Sequence, residues 1–394
     1  AQAELHVVLS LRESLMGLRV TRLWLFLLLP TALQAQSSQF GVRGLGSPGR
    51  EMATRAAASG GAFALFDPES SVNPAALGGI PVLTSIFTIQ QNFMTQDNPA
   101  GSASTRDTRF PQLMVVGPVR QTGVALGFSY SNYTSRDFSI ASQSTIDLRG
   151  IPVGITDSFS SRGGLSDLRL AGSYRIHDRW MLGGAFHILT GSNRLRSRRL
   201  FADSSYLASL QQSEVSYAGI GLSLGIIRQF GPQFAMAAMV RSDGHLNVDR
   251  DSTRVGRVDL PYSFGFGLRW QATSKLDLAA HSMYRTWSAA NSDLLAQGGT
   301  GSDNTLELAA GANYTRNLKR PFRWPFRVGA RYAQLPFPLL PGNRPHEVGV
   351  SAGTGMRFAQ DRGGMDFTVE HVWRSEAPYK ERGFVAELGI SVRP

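Results

Sequence analysis

The chain has 394 residues, 18% of them charged, and a net charge of +11 carried almost wholly by Arg, since Lys occurs only at Lys275, Lys319 and Lys380. A mean hydropathy of −0.12 excludes a bundle of membrane helices, and Arg is scattered through the chain rather than gathered on one stripe, which argues against nucleic acid as a partner. With no Cys there is no disulfide framework, thiolate metal site or Cys nucleophile.

The first segment reads as an address. Arg19 and Arg22 precede the apolar run Leu23 to Leu29, followed by Pro30 and then Ala32-Leu33-Gln34-Ala35. That is a basic region, a short apolar region and a small-residue cleavage site, the layout of a secretory signal. Cleavage is expected after Ala35, and Met16 looks like the initiator, so residues 1–35 are an upstream extension plus signal peptide. The apolar run is too short to span a bilayer as a helix.

Residues 36–80 lack alternation and are rich in small residues, as in Phe40-Gly41-Val42-Arg43-Gly44-Leu45-Gly46 and Ala56-Ala57-Ala58-Ser59-Gly60-Gly61-Ala62. Small side chains let backbone pack closely, and Asn73-Pro74 is a turn-initiating pair. This stretch is expected to be a hatch or plug.

From residue 81 to 394 the dominant period is two. Tyr262, Phe264, Phe266, Leu268 and Trp270 alternate with Ser263, Gly265, Gly267 and Arg269, which gives a strand one apolar and one small or polar face. Strands are expected near 81–93, 110–118, 122–134, 165–176, 180–190, 214–228, 232–242, 257–270, 275–287, 304–315, 323–335, 345–359, 364–376 and 382–394. Connections such as 177–179 and 272–274 are short, whereas 135–164, 191–213, 243–256 and 288–303 are long. An even number of strands, with short turns alternating with long loops, predicts an all-β fold: a transmembrane antiparallel up-and-down barrel of about 14 strands with both ends in the periplasm. A soluble sandwich or propeller would not alternate loop lengths in this way. Trp180, Tyr262, Trp270, Tyr284, Trp287, Tyr314 and Trp373 suit interfacial girdles, where a ring stays apolar and its polar atom wet.

The same alternation turns charges of both signs inward. Arg169, Arg175, Arg269, Arg327, Arg331, Arg357 and Arg374 would face Asp167, Glu307, Glu347, Asp366, Glu370 and Glu387. A mixed-sign lining ties a wall to itself or to a plug more readily than it lines an ion-selective pore.

Two loops look apolar enough to capture a ligand. One holds Phe201, Tyr206 and Leu207, spaced for one face of a short helix, and the other holds Leu335, Phe337 and Leu339. Arg194, Arg196, Arg198 and Arg199 cluster in an expected outer loop and could bind lipopolysaccharide phosphates bidentately. Gly221-Leu222-Ser223-Leu224-Gly225 matches a nucleophile-elbow pattern but lies within an alternating strand rather than at a strand-to-helix turn. The seven His residues show no metal-ligand spacing, and His281-Ser282 point to opposite faces of one strand. No catalytic residue, metal or cofactor is assigned, and the chain is not read as an enzyme.

The small-residue segment after the leader, with Asp67, Ser70, Ser71, Asn73, Pro74, Ala75 and Leu77, followed by about fourteen strands, resembles the long-chain fatty-acid transporter family. It is also similar to the related porin-like barrel proteins of type IX secretion. In both, this stretch is a hatch folded into the barrel. The resemblance implies an outer-membrane barrel for passive uptake of hydrophobic small molecules, with Asn73, Pro74 and Ala75 at the ligand. It leaves open a non-transporting, protein-binding barrel that serves secretion or surface display, in which case a secretion-machinery protein would be the partner. A general porin is a third reading. The chain ends Ile390-Ser391-Val392-Arg393-Pro394, without the terminal aromatic common in such barrels.

Overall fold

The computed structural model describes residues 38–148, 150–177 and 179–394; the leader at 1–35 lies outside them. Fourteen strands form the wall: β2 Thr84–Asn98, β3 Gly101–Pro118, β4 Val124–Ser135, β6 Ile151–Ile176, β7 Trp180–Phe201, β8 Ser209–Phe230 and β9 Phe234–Ser242, then β12 Tyr262–Gln271, β13 Leu276–Arg285, β14 Thr305–Tyr314, β15 Phe326–Gln334, β16 His346–Phe358, β17 Gly363–Glu376 and β18 Tyr379–Val392. Each pairs antiparallel with its neighbours, and β18 pairs with β2 from Lys380↔Asp97 to Val392↔Ser85, closing the sheet. Closure pairs the strand edges around the barrel, apart from the upper part of β3, and such pairing is the condition for a β-structure to cross a bilayer.

The outward face follows the expected alternation. Leu126 and Phe128 on β4, Leu170 on β6, Phe186 and Ile188 on β7, and Ile220, Leu222 and Leu224 on β8 are all exposed on the barrel exterior. A belt of exposed aliphatic and aromatic side chains around a closed barrel is a lipid-facing surface. Tyr262, Trp270, Tyr284, Tyr314 and Trp373 are exposed with it, and Trp180 carries the Arg228 guanidinium over its ring at 4.5 Å. Trp287 departs from the girdle expectation. It is 2% exposed and turns inward, because the chain leaves β13 at Thr286 and coils into the 3-10 turn Trp287–Ala290 and the short helix α2 Asn291–Ala296.

Three of the wall strands outrun the barrel. Residues 151–164, 191–201 and 209–213, read from sequence as loop, continue β6, β7 and β8 with unbroken pairing from Ile155↔Phe201 and Arg199↔Ser209. The reason is again alternation: Arg194-Leu195-Arg196-Ser197-Arg198 is polar on one face and mixed on the other, which sustains a strand in water as well as in lipid. Strand β5 Phe138–Leu148 pairs with β6 on one side of this extension; β10 His245–Arg250 pairs with β8 and with β11 Thr253–Asp259 on the other. Likewise β2 and β3 run on to a tight turn at 98–101. At the opposite end the turns are short apart from 315–325, and both the start of β2 and the end of β18 lie there.

The belt predicts a depth-dependent cost. Leu222→Arg at its middle is expected to destabilise the barrel by ~2–4 kcal/mol, and Thr190→Arg near its edge by ~0–1 kcal/mol, measured by reversible unfolding in lipid vesicles.

Candidate functional site: the filled lumen

The hatch enters as β1 Ser47–Pro48, continues through the single-turn helix α1 Thr54–Ala57 and a run of turns, and ends in the 3-10 helix Pro74–Gly79. Its small residues are there because it lies against glycines of the wall. A Cβ on Gly225 would overlap the Asn73 side chain, one on Gly183 the Pro74–Ala75 backbone, and one on Gly311 or Gly329 the backbone of Ser59. Close backbone approach at a strand glycine is a recurrent use of that residue.

Polar groups then fasten the hatch around the barrel. Gln112 Nε2 of β3 donates to Glu69 O at 2.6 Å, His281 Nδ1 of β13 lies 2.9 Å from Gly61 O, and Ser351 Oγ of β16 donates to Ala58 O at 3.0 Å. Thr368 Oγ1 of β17 donates to Thr54 O at 2.7 Å, and Ser38 Oγ donates to Glu381 of β18 at 2.7 Å. Charges do the same. Glu51 pairs with Arg241 of β9 at 3.0 Å, Glu69 with Arg393 at 2.9 Å, and Arg50 with Glu370. Within the hatch, Arg55 pairs with Asp67 and Glu69; burial raises the Asp67 carboxyl pKa, but the Arg55 guanidinium outweighs it and holds it below the usual range.

Most of the inward charges are paired with one another as their mixed signs suggest; Arg169, 1% exposed, is an exception, with two guanidinium nitrogens that make no hydrogen bond. Arg331 bridges Glu347 and Glu370, Arg374 bridges Glu347 and Glu381, and Arg327 meets Asp366 at 2.7 Å. Arg175 donates to Gly78 O of the hatch, and Arg357 stacks on Phe322 at 3.7 Å. Removing one partner of such a buried pair leaves an uncompensated charge, which costs about 3–5 kcal/mol.

The apolar loops behave differently from their sequence reading. Phe337 and Leu339 turn inward and are buried, with Phe337 edge-on to Trp287 at 5.1 Å, while Glu376 accepts from the backbone N–H groups of Leu339 and Leu340 at 2.8 Å. Leu335 is half-buried beside them. With Leu45, Leu165, Leu189, Leu246, Val258 and Leu294, Phe337 and Trp287 form one apolar cluster across the long-loop end of the lumen. Phe201 and Tyr206 do not sit on a helix. Phe201 ends β7 and its ring meets Tyr206 at 5.3 Å, while Leu207 stands at the hairpin tip, 91% exposed. Asn73 is fully buried and engaged by its own chain, donating to Leu65 O at 2.9 Å and accepting from Ala75 N at 3.0 Å; Pro74 and Ala75 start the 3-10 helix packed on β6, β7 and β8.

Among the described residues, two cavities lie beside the hatch. One of about 230 Å³ lies at the short-turn end between Phe63, Phe66, Phe322, Arg269 and Arg357. Another of about 70 Å³ lies between Met52, Val72, Arg241 and Trp287. Neither is lined by Asn73, Pro74 or Ala75. Pockets for small organic ligands usually start at about 300 Å³.

Sequence reasoning missed one constellation. Asp167 of β6, His187 of β7 and Ser223 of β8 point inward on adjacent strands, with His187 Nδ1 2.8 Å from Asp167 Oδ2 and Nε2 2.8 Å from Ser223 Oγ. The Gly221–Gly225 motif therefore does bring its serine to a histidine, through lateral neighbours rather than through an elbow. Register was the available signal: pairing Arg169↔His187 and Ala185↔Ser223 sets all three on one face. Nucleophilic chemistry further needs room for an acyl group and donors for an oxyanion. Here the three residues are buried, Arg241 also holds Asp167 at 2.8 Å, and neither cavity reaches Ser223. The arrangement satisfies buried polar groups.

The wall has one breach. β3 pairs with β4 only from Gln112↔Ser131 to Pro118↔Ala125; beyond that, residues 101–109 of β3 pair with β2 alone. A bulge at Phe110-Pro111 starts the divergence, at a residue with no N–H to give the ladder. The free edge of β4 is taken by β1 of the hatch, through Ser47↔Ser135, Pro48↔Thr134 and Gly49 N to Tyr133 O at 2.7 Å.

With this geometry in hand, a family model described as BamG matches residues 18–255, more than half of the chain. The chain belongs to the BamG family. No curated protein matches it. Among solved structures, a FadL homologue of Pseudomonas aeruginosa has a TM-score of 0.60 at 15% identity, covering 88% of this chain and 99% of its own. The toluene transporter TbuX of Ralstonia pickettii has a TM-score of 0.56 at 15% identity over 87% of this chain and 98% of its own. The toluene transporter TodX of P. putida gives 0.56 at 14% identity over 87% and 99%. This chain thus has the FadL-type fold, a fourteen-stranded barrel with an N-terminal segment.

The glycine contacts predict how the hatch is released. The double change Gly183→Val and Gly225→Val is expected to leave a folded barrel whose residues 38–80 are cut at least about tenfold faster by protease, since cleavage follows the population of the opened segment. Heat-modifiable gel mobility would report that the barrel itself is intact.

Proposed function

We propose that this protein is an outer-membrane barrel that stays closed and serves as a protein-binding component of secretion or surface display. The observation that carries this reading is the filled lumen. The hatch is tied to strands from β3 round to β18, an apolar cluster crosses the long-loop end, and two cavities beside the hatch measure about 230 and 70 Å³. A partner surface is at hand in the raised sheet, where β5 pairs with β6 and leaves its other edge unpaired among the described residues. An exposed strand edge is a template for a partner's strand.

The second reading is passive uptake of hydrophobic small molecules, favoured by the β3–β4 breach and by the fold shared with hydrocarbon channels. An apolar molecule leaving sideways through the wall would not have to cross the ion-paired lumen.

One pair of measurements separates the two. Liposomes containing the purified chain are expected to take up a fluorescent fatty acid or toluene no faster than empty liposomes. The chain extracted from its own membrane in mild detergent is expected to migrate as a complex larger than the 42.8 kDa of the chain, and to lose that complex when residues 138–163 are replaced by a short turn. Saturable uptake by a monomeric barrel would establish the second reading and overturn the first.

A further inference from the structure

The β6–β7–β8 extension has two faces of opposite character. On β7 the even-numbered residues point outward, continuing the line of Phe186 and Ile188, and they are Arg194, Arg196 and Arg198, all exposed. Arg162 of β6 stands directly across from Arg194, Ser160 across from Arg196, and Ser158 across from Arg198. On the other side β8 offers Glu214, Gln212 and Leu210. Four guanidiniums therefore share one face with a single carboxylate, and Glu214 reaches Arg194 only at 3.9 Å. Like charges directly opposite one another on a sheet are destabilising. The inner face of the same strand is neutralised: Arg199 makes two hydrogen bonds to Asp157, at 2.7 and 2.8 Å.

Position adds a second constraint. Arg194 lies six residues beyond Ile188 on a tilted strand, about 15 Å above the last aliphatic side chain of the belt. That is past the ~5–8 Å of headgroup on one side of a bilayer, at the level reached by the sugars of an outer-leaflet glycolipid. Ser160, Arg162, Gly163, Ser192, Arg194 and Arg196 line a shallow recess at this level, combining guanidinium forks with hydroxyl groups. A planar guanidinium binds phosphate bidentately, and a row of them, with Arg162 level with Arg194 and Arg196 and Arg198 beyond, suits a glycolipid with more than one phosphate.

We propose that Arg162, Arg194, Arg196 and Arg198 form a binding face for the phosphates of the outer-leaflet glycolipid, lipopolysaccharide. The face differs from the one expected in sequence by gaining Arg162 and losing Arg199, whose guanidinium belongs to the opposite side of the sheet. It fixes the height and rotation of the barrel in the leaflet, and it does not depend on whether the lumen conducts.

The test uses the full chain, delipidated in detergent, with diphosphoryl lipid A as probe and native mass spectrometry as readout. Saturable binding is expected, weakened about tenfold or more by removing the lipid phosphates and by the combined change of Arg162, Arg194, Arg196 and Arg198 to Gln. Arg199→Gln is expected to stay within about twofold of the parent. Should the fourfold variant fold poorly, Arg194→Gln and Arg196→Gln singly are each expected to weaken binding about threefold or more. Equal binding of phosphorylated and dephosphorylated lipid, or an unchanged fourfold variant, would overturn the proposal. So would displacement of the lipid by an equal concentration of inorganic phosphate, which would mark a site for the free ion.

Discussion

Alternation binds every regularly paired stretch of a strand and is broken at bulges such as Phe110-Pro111. Each residue that follows a lipid-facing one must turn into the barrel, and whatever charge it carries must be satisfied there. Once a hatch fills the lumen, water no longer solvates these groups in bulk, and an unpaired guanidinium or carboxylate costs several kcal/mol. The structure meets this constraint by pairing charges across strands, as Arg331 does with Glu347 and Glu370, and by letting the hatch supply what the wall lacks. Glu51 completes Arg241, Arg50 completes Glu370, and Glu69 completes Arg393 just beyond the last strand. The hatch is therefore part of the wall's electrostatics as well as an obstruction.

This division explains what could be read from sequence. All fourteen wall strands and the inward position of Arg331, Glu347, Asp366 and Glu370 follow from period two, a property local to each strand. Which inward residue meets which depends on register, set by turn lengths summed over the barrel. Hence Asp167, His187 and Ser223 were invisible as a group even though each was inside an expected strand. The loops failed for another reason. Phe337 and Trp287 look exposed by position, one in a connection and one at a strand end, but the extensions of β6, β7 and β8 and the pair β10–β11 build a roof under which both are buried. A residue's distance from the membrane does not reveal whether something folds over it.

The roof and the paired lumen together remove a conflict in the sequence. Apolar outer loops suggested ligand capture, while a charged wall gave an apolar ligand no way through. In the structure Phe337 and Leu339 turn inward, Leu207 alone of those named stays in solvent at a hairpin tip, and the charges face the hatch. Closure accounts for the inward loop and for the charged wall.

The same accounting bears on how far the shared fold reaches. A fold supports different functions according to what occupies its sites. In this barrel the occupant is specific down to single atoms: Gly225 leaves room for the Asn73 amide, Gly183 for the Pro74–Ala75 backbone, and Gly329 for Ser59. A hatch that swings aside would vacate glycine-lined wall and leave Arg241, Glu370 and Arg393 each short of a partner, so displacing it is opposed by packing and by charge at once. The breach between β3 and β4 adds a third restraint, because the strand edge there is completed by the hatch's own Ser47 and Pro48. Opening the lumen would therefore also strip the backbone of β4 of partners where the wall is thinnest. Packing, charge and backbone pairing all act in the same direction, and that agreement is the physical case for a barrel that holds its closed form.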